Sequence, residues 1–227
     1  MDSKAHNIWF IENVDLYEML CPHKLQSQQN NHQYHHYKKG QFIYFQDQPS
    51  DQIYLIAEGR VKIGSYSAQG KEITKTILSK GELFGELALA GEQQRSDFAQ
   101  SLSDDTRVCA MGLAMMQELM LENKALSLKI IKLIGFRLRK LERRLESLVF
   151  KDARTRIVEF IKDMAQERGQ KVGFETMIKN QLTHQDIANL TGTSRQTVTT
   201  ILNDLRDDNL INFDRRKILV RDMDKLR

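Results

Sequence analysis

The sequence predicts an α+β protein in three parts: a small antiparallel β-barrel or sandwich, one long amphipathic helix, and two short helices followed by a pair of strands. Three observations carry this. Between residues 37 and 112 apolar residues alternate with period two, and glycine-bearing turns punctuate the run. Across residues 124–149, which hold no proline, the apolar period becomes that of a heptad. Beyond Leu182 two short helical patterns meet at Gly192. The expected divisions are residues 1–122, 123–151 and 152–227.

At 227 residues the chain can bury a sizeable core, in one domain or two. Its formal charge of +4 is unevenly placed. Residues 1–122 hold 11 Lys and Arg against 16 Asp and Glu, a net −5, while residues 123–227 hold 23 against 14, a net +9. A basic back half implies a polyanionic partner there. No apolar stretch can span a bilayer and no charged-apolar-small leader opens the chain, so a cytoplasmic protein without membrane contact is expected. Cys21 and Cys109 are too few and too far apart for a disulfide framework or an iron–sulfur cluster. The absence of a nucleophile–base pairing or a metal-hydrolase motif argues against an enzyme.

Ile8, Ile11, Val14 and Leu16, then Met19, Leu20 and Leu25, recur at helical spacing and predict one or two short helices before residue 36. A polar stretch follows in which His32, His35 and His36 crowd together. Histidine pairs bind metals and haem, but no cysteine or carboxylate completes a ligand set here. Strands are predicted at residues 41–46, 52–57, 61–67, 72–78 and 106–112, separated by turns at Gly40, Gly59, Gly70 and Gly81.

Residues 81–98 read GELFGELALAGEQQRSDF and break the alternation. Leu83, Phe84, Leu87 and Leu89 predict a short buried turn of helix opened by Gly85. Such an N-terminus presents free N–H groups to an anion. Arg95 adds a fixed cationic fork and Ser96 a hydroxyl donor. Glu86 would repel a phosphate and suits a sugar hydroxyl instead. The set is chemically coherent as a ribose-phosphate site.

In the long helix Ile131, Ile134, Leu138, Leu141, Leu145 and Leu148 step by three, four, three, four and three, which places them on one seam. Arg137, Arg139, Lys140, Glu142, Arg143, Arg144 and Glu146 fill the other faces. The seam must pack on another domain, on a second copy, or on both. Asp152 is suited to cap a following helix, whose core face is Ile157, Phe160, Ile161 and Met164. Gly169 and Gly173 then mark a loop.

Thr183 or a neighbour caps the next helix, with Ile187, Ala188 and Leu190 buried; Gly192 permits a sharp turn. Thr193 or Ser194 caps a second helix whose core face is Val198, Ile201, Leu202 and Leu205. That leaves Ser194, Arg195, Gln196, Thr197, Thr199 and Thr200 on a polar side suited to base edges and phosphates. Strands at 210–213 and 217–221 flank Asp214, Arg215 and Arg216, a basic wing for a phosphate backbone.

The FGELAL run, the Arg95-Ser96 pair and the strands before them resemble the phosphate-binding cassette and β-roll of the bacterial Crp/Fnr regulators. The Ser194-Arg195-x-Thr197-Val198 core and the wing are similar to the winged helix-turn-helix of the same family. The resemblance implies a double-stranded β-helix (jelly-roll) effector domain like that of cyclic-nucleotide-binding proteins. It implies a dimerisation helix and a C-terminal winged helix-turn-helix. Its expected partners are double-stranded DNA carrying an inverted repeat, a second copy of the chain, and RNA polymerase. A small effector is expected in the β-roll, a cyclic nucleotide among the possibilities. By resemblance Glu86 takes the ribose 2′-hydroxyl, and Arg95, Ser96 and the backbone around Gly85 and Leu87 take the cyclic phosphate. Thr183, Thr193 and Lys217 join the DNA contacts.

The chain departs from the family pattern in three places. Asp97 stands where a small residue is usual, able to pair with Arg95 or to point outward. Aligning the family's Phe-x-Asp hinge on Phe150 and Asp152 puts Leu141-Glu142 where cyclic-AMP-binding members carry a Thr-Ser pair that reads adenine. Gln196 and Thr200 replace a glutamate and a second arginine of the recognition helix, so the half-site should differ from the usual one. A regulator of this fold that needs no nucleotide, or that senses haem or redox state, is the alternative.

Overall fold

The computed structural model describes Leu20 and residues 34–179, 182–214 and 217–226. The predicted N-terminal helices apart from Leu20, together with Cys21, His32, Arg215 and Arg216, lie outside the described residues. The chain divides into two compact units within its longest helix, at Leu138 and Arg139.

In the first unit, strands β1 (Tyr34–Tyr37), β2 (Phe42–Tyr44), β3 (Gln52–Glu58), β4 (Arg60–Tyr66), β5 (Glu72–Ser79), β6 (Leu83–Phe84), β7 (Phe98–Ser101) and β8 (Thr106–Gly112) form two antiparallel sheets. Their orders are β1-β8-β3-β6 and β2-β7-β4-β5. Helices α1 (Leu113–Glu122) and α2 (Lys124–Phe150) follow. Every predicted strand is present, its ends within two residues of the expected ones. Strands β1, β6 and β7 and helix α1 were not expected. The YHHY of β1 is polar and β6 has only two residues, so neither carries a period-two signal.

Strand β3 shows why this sheet reads as a nearly continuous apolar run. Successive side chains point to opposite faces. Ile53 and Leu55 pack with Met116, Leu126, Ile130 and Leu133 beneath the helices. Tyr54 and Ile56 pack with Val61, Phe84 and Val108 inside the roll. The sheet is therefore buried on both sides. Helix α2 likewise has two stripes. Leu126, Ile130 and Leu133 are at most 2% exposed, whereas the heptad seam from Ile131 to Leu148 is 41–64% exposed.

The second unit contains α3 (Ala153–Arg168), β9 (Gly169–Val172), β10 (Glu175–Lys179), α4 (His184–Thr191), α5 (Arg195–Asp207), β11 (Ile211–Phe213) and β12 (Lys217–Val220). Its antiparallel sheet runs β11-β12-β10-β9. The expected loop around Gly169 and Gly173 is in fact the β9–β10 hairpin, turned at Gly173 with φ 61°. Strand β9 buries no side chain, so it lacks the apolar alternation that would have marked it. Ile157, Phe160, Ile161, Ile187, Val198, Leu205 and Ile218 are buried in this unit. The expected three-part division treats α2 as a separate piece, but its first half packs on the β-roll and its last turns contact α4 and the turn after it. Among the described residues no helix is long and apolar enough to cross a membrane.

Candidate functional sites

The cassette lies between β6 and β7. Leu83 and Phe84 are strand rather than helix; the predicted buried turn is a 3-10 helix, Glu86–Ala90, in which Ala88 is buried and Leu87 is exposed. Gly85 opens it at φ 76°. A Cβ there would lie 2.8 Å from Arg95 Nη1 and 3.0 Å from the Gln52 carbonyl oxygen, so both the backbone conformation and the close approach require glycine.

Arg95 is 2% exposed. Its Nη1 donates to the Gly85 carbonyl at 3.2 Å, and its Nη2 donates to the Gln52 carbonyl. The guanidinium carbon sits 4.5 Å from the Tyr44 ring centroid and 5.8 Å from that of Tyr54. Buried Nε has no hydrogen-bond partner among the described residues. Ser96 donates from both its main-chain N–H (3.0 Å) and its hydroxyl (2.6 Å) to Glu92 Oε1. The other oxygen of Glu92 accepts from the Ser50 hydroxyl at 3.0 Å. Burial pushes the Glu92 carboxyl up, but the hydrogen bonds from Ser96 and Ser50 and the nearby Arg95 charge outweigh it and hold the group below the usual range.

Asp97 does neither of the things expected of it. It is 8% exposed, accepts a hydrogen bond from the Tyr44 hydroxyl at 3.0 Å and pairs with Lys75 at 3.3 Å. Burial raises its carboxyl despite Lys75 and Tyr44, and burial together with the Asp97 charge raises the Tyr44 phenol. Glu86 forms an ion pair with Arg137, which also donates to the Leu83 carbonyl. The two side chains are 12% and 18% exposed. Burial brings the Arg137 guanidinium down to about 10, against the raising effect of Glu82, so it stays charged at neutral pH. The heptad reading had assigned Arg137 simply to the polar faces. It continues the buried stripe of Leu126, Ile130 and Leu133 by a step of four, and that spacing was the signal available. Leu141 and Glu142 are exposed residues of the second unit.

Strand β1 turns His35 and His36 to opposite faces, and His36 Nδ1 lies 3.4 Å from Asp105. Among the described residues no group of three or more His, Cys, Asp and Glu side chains is placed to hold a metal.

In the second unit the Asp152 carboxylate accepts from the Thr155 N–H at 2.7 Å and caps α3. Thr183 and Asp186 form a reciprocal capping box on α4, and Ser194 caps α5 through the Thr197 N–H at 3.0 Å. The last carbonyls of α4 and its turn are held by two arginines. Arg144 donates to Asn189, and Arg156 donates to Thr191 and Gly192. Leu148 covers Gly192, whose added Cβ would meet Leu148 Cδ2 at 2.4 Å.

Several predicted DNA-contacting hydroxyls are engaged locally. Thr183 bonds Asp186, Thr193 lies 3.1 Å from Thr191, Thr197 lies 2.7 Å from Ser194, and Thr199 donates to the Arg195 carbonyl while its oxygen lies 2.9 Å from His184 Nδ1. Arg195, Gln196 and Thr200 stand exposed at the start of α5, and Lys217 is exposed at the start of β12. The far end of α5 is acidic, with Asp204 and Asp208 near Arg154. The sequence reading missed His184, which links the two helices. Burial and then the Arg195 charge lower its imidazole pKa.

Two family models match the chain: a cyclic nucleotide-binding domain over residues 34–123 and a Crp-like helix-turn-helix domain over residues 155–227. The chain belongs to the Crp/Fnr family of transcription regulators. This regulator is 27% identical over 190 residues, 84% of each chain, to the CRP-like cAMP-activated global transcriptional regulator of Mycobacterium tuberculosis. It is 28% identical over 185 residues, 81% of this chain and 83% of the other, to the global nitrogen regulator of Synechococcus elongatus. Among solved structures, a CooA mutant from Carboxydothermus hydrogenoformans matches at TM-score 0.78 and 27% identity, covering 97% of each chain. The Crp/Fnr regulator described here is thus a DNA-binding transcription regulator built from a β-roll and a helix-turn-helix.

Proposed function

We propose that the protein acts as a homodimer on an inverted repeat, with α5 in the major groove and the seam of α2 joining the two copies. Arg195 makes the bidentate contact with guanine, Gln196 faces the neighbouring pair, and Thr200 meets a phosphate or a thymine methyl. Ser194, Thr193, Thr183 and Lys217, with Arg215 and Arg216, address phosphates, whereas Thr197 and Thr199 serve chiefly to set the helix start. The observation that carries this reading is the exposed cluster of Arg195, Gln196 and Thr200 at the N-terminal end of α5, with acidic side chains confined to the other end. The β-roll takes a small anionic effector at Gly85, Glu86, Leu87, Arg95 and Ser96, for which a cyclic nucleotide is the first compound to try. Support comes from the cyclic nucleotide-binding model and from the name of the mycobacterial relative. Contact with RNA polymerase belongs to the same proposal.

The test is a selection from random DNA followed by anisotropy titration of the selected site. Arg195→Ala should weaken that site by about 1–3 kcal/mol and relax preference at one position. Equal weakening on unrelated DNA would reduce Arg195 to a phosphate contact. Repeating the titration with cyclic AMP and cyclic GMP tests effector gating, because a ligand shifts DNA affinity only if it prefers one of two states.

A further inference from the structure

One donor residue of the phosphate cradle, Ser96, already holds an anion, with Ser50 joining it from across the cradle. Ser96 offers its N–H and hydroxyl, Ser50 offers its hydroxyl, and all three converge on the Glu92 carboxylate. The bonds are not accidents of an isolated surface side chain. The main chain of Ser50 donates to the Gln93 carbonyl at 2.9 Å, and that of Arg95 donates to the Gln48 carbonyl at 2.8 Å, so the two loops are held together on either side of the cradle. Gly91, at φ 92°, turns the chain immediately before Glu92 and returns its side chain towards Ser96. A carboxylate and a phosphate monoanion make the same demands on such donors: charge-assisted acceptors in the 2.6–3.0 Å range.

We infer that Glu92 is a built-in occupant of the phosphate cradle, and that an external phosphate binds only by displacing it. This rests on the reading of the cassette as an effector site and says what guards it. Displacement must break three hydrogen bonds to a carboxylate and place a second negative charge beside it. The depressed carboxyl of Glu92 keeps it ionised at neutral pH, so the cradle does not release it by protonation. Arg95 holds the Gly85 and Gln52 carbonyls through one N–H of each terminal nitrogen, whereas both Ser96 donors end on Glu92, so a phosphate that takes the Ser96 pair must take it from Glu92.

The test compares the full-length protein with its Glu92→Ala and Glu92→Gln variants. Each is titrated calorimetrically with cyclic AMP and separately followed by thermal shift with inorganic phosphate. Glu92→Ala should bind phosphate, cyclic AMP or both at least about tenfold more tightly than wild type, given the strength of hydrogen bonds to a charged group. Glu92→Gln, which keeps an acceptor but loses the charge, should fall between. In parallel, the Ser96 amide resonance of the wild type should shift with an acid transition that both variants lack. Equal affinities in all three proteins, or a Ser96 amide that does not sense Glu92, overturn the proposal. If all three bind cyclic AMP equally, the cassette remains an effector site and only the guarding role fails. If Glu92→Ala gains phosphate but no protein binds a cyclic nucleotide, the guarded cradle stands and the nucleotide reading falls.

Discussion

Leu145→Ala should split the proposed dimer without harming the protomer. Within one chain Leu145 is 64% exposed and its neighbour on the seam, Leu141, is 61% exposed, so neither holds the protomer's own core. Burying a leucine completely stabilises by about 1.5–3 kcal/mol, and covering the exposed part of Leu145 accounts for about 1–2 kcal/mol of that. A two-fold seam repeats each residue, so one substitution acts twice. The dimer should weaken by about 2–4 kcal/mol, or about 30- to 700-fold in its dissociation constant. Sedimentation velocity over a dilution series measures this, with thermal melting of the monomeric fraction as the check on folding. Leu121→Ala is the control: that residue is 83% exposed on α1, away from the seam. If Leu145→Ala dissociates within about threefold of wild type, or if Leu121→Ala weakens the dimer equally, the seam is not the interface.

Three further outcomes are expected. Arg137→Ala should destabilise by about 3–5 kcal/mol in denaturant titration, because it strands the buried Glu86 carboxylate, and pairing it with Glu86→Leu should recover much of the loss. Gly192→Ala should cost about 1–3 kcal/mol from its positive φ of 64°, and adding Leu148→Ala should relieve only the methyl contact, leaving the backbone strain. The folded-state carboxyl of Asp97 is raised, so its protonation stabilises the fold at low pH and that contribution is lost as pH rises through the raised value. Melting curves between about pH 4 and 7 should show this decline in wild type and not in Asp97→Asn, and an identical decline in both would refute it.

The helix-turn-helix was legible in detail because its determinants are local. Thr183, Gly192, Ser194 and the spacing of Val198, Ile201, Leu202 and Leu205 act within a few residues of one another, and the caps fell on residues already named as candidates. The β-roll strands were legible for the same reason, through alternation and glycine turns. Strand β9 and strand β1 were not, since a strand with a polar or wholly exposed face leaves no periodic mark.

The cassette shows the boundary most clearly. Its composition was enough to indicate an anion site, and the heptad was enough to indicate a free seam, because both depend on residue types at short, fixed spacings. Which donor meets which acceptor was decided by the tertiary structure alone. Glu92 reaches Ser50 across 42 residues, Arg95 reaches Gln52 across 43, and Arg137 reaches Leu83 across 54. No local pattern encodes those distances; they exist only once the two sheets and α2 have packed, and they turn an expected open phosphate site into one in which Ser96 already holds a carboxylate.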